Sequence, residues 1–250
     1  MDKDIRALLG RINSRLKYAH FGYIKDRLRG IADHSTEPVM TLDVGCGPGN
    51  LGLYCREIAK IQWYGVDLWS NELAQARQVG SYEGLCQVNL VNGIPFRPDS
   101  FDVIICNEVL MYMPNSEELL GQFRKVLRPS VCLIVYNPIS FTPRLAAGIK
   151  KIIRGVAQAG DSIAWDTQSD WKKAVRATRI NYYSYDSLLD EIRRSGFTIE
   201  DVSAFRIFRN RLRWMNKLES NAGYRSRVIS MASKFPRMAS DIIVYSSRNP

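Results

Sequence analysis

Two carboxylates and a glycine turn are the residues best spaced for chemistry. Asp43 opens the run Asp43-Val44-Gly45-Cys46-Gly47-Pro48-Gly49-Asn50. Glycines at three alternate positions leave no side chain in the way of the turn. Glycine takes positive φ and lets another molecule come close to the backbone. Asp67 ends a second run, Ile61-Gln62-Trp63-Tyr64-Gly65-Val66-Asp67. It falls about 20 residues beyond the turn, the offset at which a carboxylate reaches ribose hydroxyls. An acid suits that task because it accepts both hydroxyl hydrogens at once. Asp43, where the loop meets its ligand, repels a pyrophosphate but tolerates a ligand carrying an amino group and a sulfonium.

The elements that must hold these residues alternate strand and helix. Val39 to Leu42 is apolar and reads as a buried strand, and Leu51 to Ile61 has helical spacing. Strand, glycine turn and helix open a nucleotide-binding α/β fold. After Asp67 come a helix over Asn71 to Val79 and a short strand from Leu85 to Asn89. Val103 to Asn107 has the continuous apolar character of a parallel strand. Asn115 can cap a helix running to Leu127, with Glu117 and Glu118 in its first turn. Val131 to Tyr136 is the fifth strand. Asp186 to Ser195 is a helix closed by Gly196, Phe197 to Ala204 a strand, and Asp241 to Ser246 the last strand. Residues 3–31 have helical periodicity, stopped by Gly30 and the stretch Asp33 to Pro38.

The segment Leu42-Asp43-Val44-Gly45-Cys46-Gly47-Pro48-Gly49 resembles the first motif of the class I S-adenosylmethionine-dependent methyltransferases. Further matches follow in order. Asn89-Leu90 through Ile94-Pro95-Phe96 and Ser100-Phe101-Asp102 resemble the acid-Leu-Pro-Phe segment and the start of strand four, with Asn89 in place of the acid. Leu127-Arg128-Pro129 resembles the turn before strand five, with Ser130-Val131 where two glycines are usual. The resemblance implies a doubly wound, seven-stranded, mainly parallel sheet with an antiparallel last strand. It implies one domain: an N-terminal helix (1–38), a cofactor core (39–138), a lid or insert (139–183) and a C-terminal part (184–250) with a helical insert at 206–235. The N-terminal helix and the inserts are expected over the carboxyl edge of the sheet.

The cofactor implied is S-adenosylmethionine, leaving as S-adenosylhomocysteine. Its expected contacts are Asp43, Gly45, Cys46, Gly47, Gly49, Asp67, Leu68, Asn89, Leu90 and Asn107, with Leu68 on the adenine face and the Asn89 amide oxygen accepting from the adenine amino group. Candidate general bases are Glu108, Tyr112 and His20, then His34 and the Tyr182-Tyr183 pair. For each, packing or surface placement is the competing reading; for His20 it is a half-exposed helix residue. Tyr112 stands where many relatives have histidine. His20-Phe21-Gly22-Tyr23-Ile24 faintly resembles the segment of the polyprenyl-quinone O-methyltransferases in which a basic residue approaches the methionine carboxylate.

Composition narrows the partners. The five cysteines have no metal-ligand spacing and read as core residues of a reduced, cytoplasmic protein, with no metal site. The start of the chain lacks a signal-peptide layout, and no apolar run approaches the length of a membrane span. Lys and Arg number 35 against 25 Asp and Glu, and much of the excess lies in residues 144–156 and 206–217. Those segments interleave basic and apolar side chains, a pattern that suits packing on the core, a peripheral contact with anionic membrane, or an acidic partner. A small-molecule or lipid-like methyl acceptor is expected. RNA or protein ranks below it, since Asn107-Glu108-Val109-Leu110 is not the Asn-Pro-Pro-Tyr type that amino-group methylators of bases carry. A silent cofactor-binding module is the third reading.

Overall fold

The computed structural model describes residues 19–139, 181–206 and 221–249. Expectations for residues 1–18, 140–180 and 207–220, including most of the lid and the basic segments, lie outside them.

One seven-stranded sheet is made by β1 (Val39–Val44), β2 (Ile61–Asp67), β3 (Gly84–Gln87), β4 (Phe101–Asn107), β5 (Leu127–Pro138), β6 (Phe197–Arg206) and β7 (Asp241–Arg248). The strand order is β3-β2-β1-β4-β5-β7-β6. The first five strands pair in parallel, and β7 runs antiparallel between β5 and β6. This is the expected mainly parallel sheet with a reversed last strand. From β1 the chain winds outward through β2 and β3, then returns to β4 on the other side. The winding therefore reverses between β1 and β4, and ligands of open α/β sheets bind at the carboxyl ends of strands flanking such a point.

The helices are α1 (Ala19–His34), α2 (Asn50–Cys55), α3 (Ser70–Val79), α4 (Ser116–Val126), α5 (Tyr185–Arg194) and α6 (Ala222–Lys234). Phe21, Ile24 and Leu28 of α1 and Leu51 of α2 pack with Val103, Ile105 and Tyr136 on one face of the sheet. Leu119 and Phe123 of α4, Leu188 and Ile192 of α5 and Ala232 of α6 cover Ile104, Cys106, Leu133 and Val135 on the other. Alternate residues of β4 and β5 are thus buried on opposite faces, which is why both strands read as unbroken apolar runs. The Asn115 side chain accepts the Glu118 N–H at 3.2 Å and caps α4 as expected.

Several boundaries move. Helix α1 passes through Gly30 to His34, whose Nδ1 lies 2.7 Å from the Gly30 carbonyl, so His34 ends a helix rather than lying in a loop. The helical spacing after Asn50 yields only Asn50–Cys55; Lys60, at φ 66, closes a turn directly into β2. Strand β3 stops at Gln87, because the Asn89 side chain caps a 3-10 turn over Leu90–Asn92. Strand β5 begins at Leu127, earlier than expected. In place of the glycine pair, Arg128 bonds the Asp102 carboxylate at 2.5 Å and the Asp99 carbonyl at 3.1 Å, while Asp102 accepts the Met40 N–H at 2.8 Å. Within the region read as a helical insert, Ala222–Lys234 is a helix covering the core, capped by Asn221.

Candidate functional site

The glycine loop leaves the end of β1 at the reversal point. Gly45, Gly47 and Gly49 have φ of 70°, 52° and 84°, a region costly for any side chain. The three serve different ends. A Cβ on Gly45 would stand 2.4 Å from Val109 Cγ2, and one on Gly49 would stand 3.1 Å from the Tyr82 ring and 3.2 Å from Ala76. A Cβ on Gly47 would meet nothing within 4 Å. Close protein packing requires Gly45 and Gly49, then, and Gly47 is the position with open space above it. The Cys46 thiol is buried beside the loop and is held neutral by burial and by Asp43 and Asp67.

Asp67 stands at the end of β2, 9% exposed. Its Oδ2 accepts the Gly47 N–H at 2.8 Å and its Oδ1 the Trp69 N–H at 3.0 Å. The loop and the acid are therefore one rigid unit. The Leu68 N–H also favours the carboxylate, which still keeps lone-pair capacity for a further donor. Burial raises the Asp67 pKa, and the backbone N–H bonds oppose that rise. The neighbouring Leu68 is 44% exposed and Val91 54%, large apolar side chains facing solvent at the same sheet edge. Asn89 is exposed, and its Oδ1 already accepts the Val91 N–H at 3.1 Å, with one lone pair over. Leu90, half-buried, starts that turn. Across the reversal point, the Asn107 Oδ1 is a buried acceptor without a hydrogen-bond partner. A buried carbonyl left unpaired costs about 1–3 kcal/mol, so a donor is expected there when the site is filled.

Asp43 is sealed beneath the loop at 1% exposure, and its Oδ2 accepts the Tyr82 hydroxyl hydrogen at 2.8 Å. Its effect on a cationic ligand must act through space. Burial pushes its pKa up to about 7, against the opposing bond from Tyr82 and helped by the anion of Asp67. The ligand-free protein should reflect this. A carboxyl whose pKa is higher folded than unfolded contributes stability at low pH and loses it as pH rises towards the folded value. Stability should therefore fall between about pH 4 and pH 7, by up to roughly 4 kcal/mol from Asp43. Urea unfolding across that range checks it: the slope should become clearly shallower in Asp43→Asn, leaving the smaller part from Asp67, and the same slope in both proteins would contradict the assignment.

His20 and Glu108 are drawn towards one residue. The His20 ring is buried and stacks on Tyr136 with centroids 3.7 Å apart and planes at 3°. The half-exposed reading of this histidine is therefore corrected: α1 presses it against β5. Tyr136 pairs in register with Asn107, and its carbonyl accepts the Glu108 N–H at 2.9 Å. Glu108 itself lies at φ 58°, a strained conformation for a non-glycine residue and one that clusters at functional sites. Tyr112 is half-buried in the 3-10 turn Leu110–Tyr112 that follows. His34 is at the far end of α1 from His20. Tyr183 is buried, its hydroxyl 2.6 Å from Ser116 Oγ and 3.2 Å from Glu191, in a network that ties α5 to α4. Sequence reasoning missed Tyr136 and Tyr82. A polar-tipped ring ending a buried strand was a usable signal for Tyr136; nothing local marks Tyr82.

Residues 42–135 match the methyltransferase domain family. Over that stretch the chain carries a methyltransferase domain, and its fold is shared with S-adenosylmethionine-dependent methyltransferases. A probable methyltransferase of Aspergillus luteorubrus, ltbC, is 29% identical over 119 residues, 41% of this chain and 42% of that protein. The trans-aconitate 2-methyltransferase of Rhodopseudomonas palustris is 30% identical over 103 residues, 41% of this chain and 40% of its own length. The chain thus spans about two fifths of the length of the curated relatives it matches. The fold extends further than the sequence likeness. An S-adenosylmethionine-dependent methyltransferase from Mesorhizobium loti superposes with a TM-score of 0.59 at 17% identity, over 95% of this chain and all of that one.

S-adenosylmethionine, the cofactor that the matched domain implies, fits the residues present. The open face of Gly47 leaves room for close approach, and the Asp67 carboxylate keeps acceptors for a diol. The unpartnered Asn107 oxygen suits an ammonium or amide donor, and Leu68 and Val91 offer apolar faces for a base. Among the described residues no group of three or more side chains could hold a metal, and no helix is long and apolar enough to cross a membrane. All five cysteines are unbridged; four are buried and Cys86 is exposed.

Proposed function

We propose that this chain transfers a methyl group from S-adenosylmethionine to the oxygen or nitrogen of a small-molecule or lipid-like acceptor. The observation that carries the proposal is the Asp67 carboxylate, held by two backbone N–H groups beside the open face of Gly47. When bound, the cofactor supplies a methyl group activated by a positively charged sulfur. The protein's task is then to align the acceptor and exclude water. Asp67, Leu68, Leu90, Asn89 and the glycine loop hold the cofactor's nucleoside end, and Asn107 its amino-acid end. Glu108, Tyr112 and His20, at the ends of β4 and α1, border the acceptor side. A base is needed there only if the acceptor must lose a proton.

Three relatives are named for trans-aconitate, which supports a small acceptor. A lipid-like acceptor at a cytoplasmic membrane surface draws support from Met231, Phe235 and Met238, each about half exposed near Lys234 and Arg237. Methyl-labelled S-adenosylmethionine, incubated with pools of small acids, amines, phenols and lipid extract, with RNA and protein pools alongside, tests the reading. Label entering a small-molecule or lipid pool is expected. Label entering only RNA or protein would replace the acceptor class, and cofactor binding with no transfer to any pool would favour a silent module. Co-sedimentation with anionic but not neutral vesicles, weakened by salt, is the expected result for the membrane contact; failure to sediment with either would remove it.

A further inference from the structure

Tyr82 lies in the loop between α3 and β3, yet it bonds Asp43, two strands away on β1. The strand order explains how. In the β3-β2-β1 part of the sheet, Gly65 of β2 pairs with Leu85 on one side and with Asp43 on the other. The gap at Gly65 is where the tyrosine crosses. A Cβ on Gly65 would stand 3.0 Å from the Tyr82 ring and 2.9 Å from Cys46 Sγ. A Cβ on Gly52 would stand 2.7 Å from the same ring, and one on Gly49 3.1 Å. Three glycines from the loop, α2 and β2 therefore shape one slot, and the Tyr82 ring fills it from beneath the loop. Trp63 meets the ring edge-on at 6.1 Å.

We propose that Tyr82 is a positioning residue of the cofactor site: its ring supports the glycine loop, and its hydroxyl, bonded to Asp43, favours the charged form of that carboxylate beneath the loop. This rests on the cofactor reading above. The groups facing Asp43 are the Tyr82 hydroxyl, the Asp67 carboxylate and the Cys46, Cys55 and Cys106 thiols. None of these is a cation. Burial holds the thiols neutral, and Asp67 disfavours a second anion. The Tyr82 hydroxyl is thus the member of the set that favours the carboxylate. A cationic ligand above the loop gains from the charged form, so its affinity should rise as Asp43 ionises. The proton leaves Asp43 for the buffer.

Tyr82→Phe keeps the ring and removes the hydroxyl. Cofactor affinity is measured by calorimetry from about pH 5.5 to pH 8 for the wild type, Tyr82→Phe and Asp43→Asn. The ligand's own titration is common to all three. Wild-type affinity is expected to rise through neutral pH. In Tyr82→Phe the rise should move up by about one pH unit, leaving affinity about fivefold lower at pH 7. In Asp43→Asn the rise should be absent. A carbon-13 titration of the Asp43 carboxyl, with the protein free of ligand, reads the same coupling without the cofactor: its midpoint should move up in Tyr82→Phe. Equal midpoints in wild type and Tyr82→Phe would overturn the proposal, even if affinity fell uniformly. If the wild type bound no cofactor, the cofactor reading would fail, whereas the carboxyl titration would still decide whether Tyr82 controls Asp43.

Discussion

Replacing Asp67 with alanine should weaken S-adenosylmethionine binding by about 1–3 kcal/mol, the cost of losing charge-assisted hydrogen bonds to two hydroxyls. The loss should be larger than for any change at Leu68 or Leu90, because the carboxylate also fixes the loop through the Gly47 and Trp69 N–H groups. Asp67→Asn separates the two parts. It keeps one acceptor and the size of the side chain, so it should recover part of the loop geometry but little of the charge-assisted binding. Calorimetry on the three proteins measures this. Affinities for Asp67→Ala within twofold of wild type would remove Asp67 from the cofactor site.

Gly45→Ala should destabilise the fold by about 2–4 kcal/mol. Two effects combine: a left-handed backbone at φ 70° costs a non-glycine residue about 1–2 kcal/mol, and a Cβ 2.4 Å from Val109 Cγ2 must displace a side chain that packs against the core. Gly47→Ala makes the contrast. Its φ of 52° carries similar strain, but its Cβ meets nothing in the protein. Thus Gly45→Ala should lower the urea midpoint more than Gly47→Ala. Gly47→Ala should lose more cofactor affinity per unit of stability lost. The reverse ranking would mean that the open space belongs to a different glycine.

The sequence made the framework legible because the central strands β1, β4 and β5 are buried on both faces and stand out as short apolar runs. The acid at the end of β2 and the alternate glycines were legible for a different reason: their spacing along the chain equals their spacing in the βαβ unit. The Asp43–Tyr82 bond was not legible, since it joins residues 39 apart across an intervening strand. Only the sheet order reveals that Gly65 opens the way. His20 looked like a helix residue facing partly to water; its stack on Tyr136 depends on how α1 docks, which no local pattern encodes. The glycine loop misled in part. All three glycines looked available for ligand approach, whereas two are demanded by Val109 and by the Tyr82–Ala76 floor. The early start of β5 was hidden because an arginine, Arg128, organises the turn that glycines usually make.

The central claim is that the edge formed by Asp67, Gly47 and Asn107 binds S-adenosylmethionine. The most direct test is a calorimetric titration of the full chain with S-adenosylmethionine and, separately, S-adenosylhomocysteine near neutral pH, with Asp67→Ala run beside it. One-to-one saturable binding of both ligands, reduced by about fivefold or more in Asp67→Ala, is the predicted result. No binding of either ligand at concentrations on the order of 1 mM, or binding unchanged in Asp67→Ala, would contradict it.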